Sequence, residues 1–184
     1  IAAEDKTFFE HGGLDWLGIA NAVATNVETI FTGKRPVGAS TITQQVAKSL
    51  VGNEVSIWRK LREAILARRL EAVFPKQQIL ELYLNQIFLG RNAYGVEAAA
   101  QAYFGKSVNQ LDLAQMAYLA ILPKAPSTYD PVRQNARALA RRDYVLGQME
   151  ANGFINAGQR AAASAAPLEA PGGRVTRNRV PDYF

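Results

Sequence analysis

Three polar clusters in the first third of the chain hold the side chains able to do chemistry. They are Glu4-Asp5-x-x-Phe8-x-x-His11-x-Gly13, Gly38-Ala39-Ser40-Thr41-Ile42-Thr43-Gln44-Gln45 and Arg59-Lys60-x-x-Glu63. The first offers a carboxylate, the second a row of hydrogen-bond donors at a helix start, the third two cations and a second carboxylate. A base, a polar cradle and an anion clamp are what transfer from a phosphate-linked donor requires.

The cradle has the clearest pattern. Thr41, Gln44, Gln45 and Lys48 fall at i, i+3, i+4 and i+7, one face of a helix, while Ile42, Val46 and Leu50 make the other. Solvent-facing stripes usually carry Glu and Lys; Thr and Gln suit a sugar or an amide. Ser40 is the expected N-cap, and free N–H groups at that helix start suit an anion. The helix that carries Arg59, Lys60 and Glu63 has apolar side chains on nearly every side, which is the pattern of a buried helix. Glu63 falls between Leu70 and Phe74 on that wheel, with Arg59 one turn earlier. Two readings stand: a buried Arg59–Glu63 pair, or a cleft lining that handles a charged ligand. Around Glu4-Asp5, the aromatic residues Phe8, Phe9 and Trp16 give an apolar setting that keeps water away. His11 reads as a turn-fixing residue beside Gly12-Gly13. With one His and no Cys, a complete His- or Cys-based metal site is excluded.

The elements that must position these groups are helices throughout, so the expected class is all-α. Apolar spacing predicts helices over Leu14–Phe31, Ser40–Leu50, Ile57–Phe74, Lys76–Asn85, Gly95–Phe104, Leu111–Leu122, Arg133–Glu150 and Ala157–Ala166. Ser107 and Gln110 are expected to form a capping box for the helix that starts at Leu111. Pro75 ends the long helix; Pro123, Pro126 and Pro131 make a stiff connection. One core suffices for 184 residues, with the basic segment Gly33–Gly38 as the expected divide between two lobes and the site in the cleft between them. Residues 167–184, rich in Pro, Gly and Arg, read as a linker.

Lys and Arg exceed Asp and Glu by 21 − 16 = 5, which favours an anionic partner such as a diphosphate or lipid head group. Arg133, Arg137 and Arg141 repeat at helical spacing and read as a solvated face. No aromatics interleave with them as a stacking platform needs, which argues against nucleic acid. No apolar run approaches the roughly 20 residues that span a bilayer. The chain starts at Ile1 and ends on Val180-Pro181-Asp182-Tyr183-Phe184, and is expected to be a domain excised from a longer protein.

These clusters, with Lys76-x-x-Ile79-Leu80-Glu81-x-Tyr83-Leu84-Asn85 and Arg141-Arg142-x-x-Val145-Leu146, resemble the five ordered motifs of the peptidoglycan glycosyltransferase domain (glycosyltransferase family 51) of class A penicillin-binding proteins. Tyr94-Gly95-Val96 and Leu122-Pro123-Lys124-Ala125-Pro126 add to the likeness, which runs from about Ile1 to Ser164. The resemblance implies a lysozyme-like fold, with the glycosyltransferase domain over residues 1–166. It implies polymerisation of lipid II into β-1,4 glycan, with inversion and release of undecaprenyl diphosphate. That work is expected on the outer, periplasmic face of the cytoplasmic membrane, from a parent anchored by an N-terminal transmembrane helix and carrying a transpeptidase domain after the linker. Glu4 would be the general base on the acceptor 4-hydroxyl. Glu63 would lie beside the donor diphosphate with Lys48, Arg59 and Lys60; Ser40, Thr41, Gln44 and Gln45 would hold sugar and phosphate. The sequence requires no cofactor; a divalent cation, Mg or Mn, is compatible with the family's chemistry.

Two positions depart from the family pattern. Asn21 stands where Arg is usual, and Val55 where a basic residue is common. Both belong to the anion-handling side, where Lys34, Arg35 and Arg62 are the other available cations. The alternatives are a lysozyme-like hydrolase or lytic transglycosylase, a non-catalytic family member, and a basic helical scaffold or nucleic-acid protein. A hydrolase has no diphosphate to bind, so Lys48, Arg59 and Lys60 weigh against it.

Overall fold

The computed structural model describes residues 1–22, 40–52 and 56–170. The chain divides into two compact units, Ile1–Gln86 and Ile87–Phe184. Among the described residues both are helical, with an isolated bridge between Phe88 and Tyr94 and no strand. The all-α expectation holds. The division falls after Gln86 rather than at Gly33–Gly38, and that segment lies outside the described residues. Chain on both sides of it belongs to the first unit, where the Thr41 hydroxyl donates to the Gly13 carbonyl at 2.8 Å.

In the first unit a looped segment, residues 1–15, precedes α1, described over 16–22. Asp15 starts that helix by accepting from the Gly18 N–H at 2.8 Å. Then come α2 (Ile42–Val51), α3 (Ile57–Val73) and α4 (Lys76–Gln86), with α2 packed on both α3 and α4. Ser56 caps α3, accepting from Arg59 N–H at 3.0 Å, and extended backbone at Phe74 before Pro75 ends it. The all-round burial expected of α3 is not found. Its buried residues are Glu63, Ala67 and Leu70, one stripe at i, i+4 and i+7. Ile57 and Trp58 are 88% and 72% exposed, and Leu61 and Ile65 are exposed too. A wheel with apolar residues on every side cannot say which side meets a neighbour; here small Ala67 does.

Gly13 explains why that residue is small. Its φ is +90°, and a Cβ there would lie 2.9 Å from the Ala67 carbonyl oxygen and 3.1 Å from Glu71 Cγ. The loop therefore lies directly on the α3 backbone. Gly13→Ala should cost about 2 kcal/mol, combining positive-φ strain with displaced backbone. A urea midpoint lowered at constant m would show it; an unchanged midpoint would mean that the loop shifts freely.

The second unit holds α5 (Val96–Phe104), α6 (Leu113–Leu119), α7 (Asn135–Ala151) and α8 (Ala157–Ala165). The single helix expected from Leu111 does not form. Ser107 and Gln110 box a short 3-10 turn over Val108–Gln110, Leu111 is extended, and Asp112 with Gln115 makes a second box that starts α6. The helix expected from Arg133 begins at Asn135, because Asp130 accepts from the Val132 and Arg133 N–H groups and holds them in a turn. Tyr118 meets Tyr103 and Phe104 edge-on in an aromatic core, and both phenols reach backbone carbonyls, of Leu89 and Tyr129, at 2.9 Å. Arg142 is 1% exposed and donates to the carbonyls of Ser164 and Ala166, each at 2.8 Å, closing the end of α8. Its motif partners Val145 and Leu146 are buried beside it on α7. That motif is a fold device of the second unit.

Candidate active site

Residues 1–15 carry Glu4 without regular structure, so contacts from three helices have to hold them. Asp5, 6% exposed, supplies the first set. One of its oxygens accepts from the Ile42 N–H at 2.9 Å, at the very start of α2. Both lie at 3.0–3.1 Å from His11 Nε2. The other ring nitrogen, Nδ1, accepts from Gly13 N–H at 3.2 Å, so the ring proton sits on Nε2 and is donated to Asp5. His11 thus fixes the turn, as its place beside the glycines suggests, and also orients the acid.

Lys76, the first residue of α4, supplies the second set. Its Nζ donates to the His11 carbonyl at 2.6 Å and to Glu71 at 2.7 Å, and stands 4.5 Å from the centre of the Phe8 ring. Thr43 donates to the same Glu71 oxygen at 2.6 Å. These contacts join α2, α3 and α4 beneath the loop. Glu4 itself is half-buried, and among the described residues its carboxylate has no hydrogen-bond or ion-pair partner. It is a carboxylate with a free head on an anchored loop.

The second cluster touches the chain at Ser40, just before α2. Glu63 is 1% exposed; one oxygen takes the Arg59 guanidinium and the other the Lys60 ammonium at 3.0 Å. Lys60 also donates to Ser40 at 3.0 Å. Ser40 is therefore a ligand of the cation cluster and not the N-cap. Thr41 caps α2 in a box with Gln44, and both are buried. Thr41 is thereby engaged through both its N–H and its hydroxyl, and Gln44 through its side-chain oxygen, at the helix start and Gly13. Gln45 is half-buried; Lys48 is exposed in the last turn of α2. Asn21 is exposed on α1; Val55, Lys34 and Arg35 lie outside the described residues.

The two clusters are thus joined by the stretch from Ser40, bound to Lys60, to Ile42, bound to Asp5. Two residues of extended chain reach at most about 7 Å. Asp5, the neighbour of Glu4, and Lys60 thus hold chain positions two residues apart. A cavity of about 440 Å³, lined by Thr7, His11, Trp16, Leu17 and Arg68 among others, also opens on the loop, but Glu4 and Glu63 are not in its wall.

Lys76, Glu71 and Thr43 carry no sign of their role in the sequence, since the bonds run between residues 65, 28 and 5 apart. The signals present are that Thr43 belongs to the second polar cluster and that Lys76 opens a motif. As for a metal, both oxygens of Glu63 are taken by cations, and among the described residues no three His, Asp or Glu side chains gather as ligands. These residues do not fit a divalent cation.

The chain has relatives among known proteins. The family model described as Transglycosylase matches residues 1–150. The chain belongs to the transglycosylase family. Penicillin-binding protein 1A of Rickettsia felis is 56% identical over 84% of the chain and 20% of its own length. The Escherichia coli K12 protein of the same name is 51% identical, over 84% and 18%. The Aquifex aeolicus one is 45% identical, over 100% and 25%. A crystal structure of penicillin-binding protein 1A from Haemophilus influenzae superposes with a TM-score of 0.50 at 40% identity, covering 69% of this chain and 16% of that one. This transglycosylase domain therefore spans about a fifth of the length of the curated relatives it matches. No helix among its described residues is long and apolar enough to cross a membrane.

Proposed function

We propose that the chain is the peptidoglycan glycosyltransferase portion of a larger penicillin-binding protein, and that it polymerises lipid II into β-1,4 glycan strands. The observation that supports this reading is a Glu4 carboxylate without a partner among the described residues, carried beside Asp5, which holds the Ile42 N–H two residues after the Ser40 that Lys60 binds. Glu4 takes the proton of the acceptor 4-hydroxyl. The oxygen attacks the donor anomeric carbon from the face opposite the leaving group, which inverts that centre. The carbon–oxygen bond to the diphosphate breaks, and its electron pair leaves with undecaprenyl diphosphate. Arg59 and Lys60, with Lys48 within the same polar stretch, stabilise that growing charge. Since the residues in place do not fit a divalent cation, no step is routed through one.

The same reading places the parent at the outer, periplasmic face of the cytoplasmic membrane, held by an N-terminal transmembrane helix, with the growing glycan strand as second substrate and a transpeptidase domain following. Nucleic acid has no place in it.

The assay that tests the reading offers the full chain lipid II in detergent or bilayers, and separately offers it finished glycan. Polymer from lipid II, with finished glycan left intact, is the expected result. Consumption of finished glycan alone would assign the site to a lytic enzyme instead.

A further inference from the structure

The inward stripe of α4 runs Lys76, Ile79, Tyr83, at i, i+3 and i+7. Seven residues of helix are about 10 Å long. At one end of that stripe Lys76 grips the loop through the His11 carbonyl and the Phe8 ring. Ile79, in the middle, is fully buried. At the other end Tyr83 is 7% exposed, and its hydroxyl is buried without a hydrogen-bond partner. The carboxylates that act on it are Glu4 and Asp5: burial first, then their negative charges, push the phenol up from its ordinary value.

A buried hydroxyl with no partner is a cost that folded proteins rarely carry without a use. Of the two neighbouring acids, Asp5 is fully engaged by His11 and the Ile42 N–H. Glu4 has no hydrogen-bond or ion-pair partner among the described residues. An unpaired donor therefore stands in the field of an unpaired acceptor, and the acceptor is the proposed base. We propose that Tyr83 is a positioning residue, whose hydroxyl donates to one Glu4 carboxylate oxygen in the working site and turns the other toward the incoming acceptor hydroxyl. The inference rests on the reading of Glu4 as general base. The phenol has no hydrogen bond in the free enzyme and gains one when the Glu4 side chain turns to it.

The test is Tyr83→Phe in the full chain, which keeps the ring and removes only the hydroxyl. With labelled lipid II, kcat should fall about tenfold to a hundredfold, the worth of a hydrogen bond to a charged group, while KM changes little. The melting temperature should hold or rise by a few degrees, because a buried group without a partner has been removed. On a Glu4→Gln background the same change should add nothing. A kcat near wild type overturns the proposal, as does a lost kcat accompanied by a clearly lower melting temperature, which would make the hydroxyl a structural group. If Glu4→Gln is inert and Tyr83→Phe fully active, this inference alone fails. If wild type does not polymerise lipid II, the functional reading fails and takes this one with it.

Discussion

Glu4→Gln should lower lipid II polymerisation by about 10² to 10⁴ in kcat, the range lost with a positioned general base. Binding of lipid II and the melting temperature should stay near wild type. The substitution keeps size and hydrogen-bonding capacity and removes only basicity. It also breaks nothing in the free protein, because the carboxylate has no partner among the described residues. The loop around it is held by other groups: Asp5 on the Ile42 N–H, His11 on Asp5, Lys76 on the His11 carbonyl, and Thr41 on the Gly13 carbonyl. Stability and activity are thus separable at this residue to a degree that is unusual for a half-buried acid. Single-turnover rates with matched thermal melts give the check. Substantial turnover in the variant would move the base elsewhere, and Asp5 could not replace it while both its oxygens are engaged.

The helices were legible because their signals are local. Pro75 and Ser56 bracket α3, and Asn156 starts α8 one residue before the predicted first position. The caps were harder. Ser40 and Thr41 are equally good N-cap types, and the choice falls to Thr41 because its hydroxyl can also reach Gly13, 28 residues away. The burial of α3 was misread for the same reason. Apolar content names the faces that could be buried, whereas contact with α2, α4 and Gly13 picks the one that is, and that stripe contains Glu63 and Ala67. Of the candidate site, residue type and order single out the acid and the cations, and the Arg59–Lys60–Glu63 contacts follow from their i, i+3 and i+4 spacing. The polar face of α2 has a second use that its pattern does not show: the Thr41 hydroxyl and the Gln44 side-chain oxygen satisfy the helix start. The frame of Lys76, Glu71 and Thr43 could not be read from the chain, because no local pattern links residues that meet only after three helices have packed.

Glu63→Gln should destabilise the first unit by about 3 kcal/mol and raise the KM for lipid II as donor more than for the acceptor strand. The carboxylate is 1% exposed and satisfies two cations at once, so splitting this group sits at the low end of the cost of breaking a buried pair. An amide can still accept from Arg59. Its NH₂, however, would face the Lys60 ammonium, donor against donor, and push Lys60 away from Ser40 as well. Two opposed effects on the donor follow. The cluster's charge rises from +1 to +2 as Glu63 is neutralised, which attracts a diphosphate; at the same time its cations lose their fixed places. Lys60 has a half-exposed side chain, so the added attraction is screened by salt and water. Placement is not screened, and for a leaving group that must be met as its bond breaks, placement is the larger factor. Donor titrations at low and high salt separate the two. Weaker donor use at both salt concentrations is the expected outcome; tighter donor binding at low salt would make Glu63 a brake on the cations and not their scaffold.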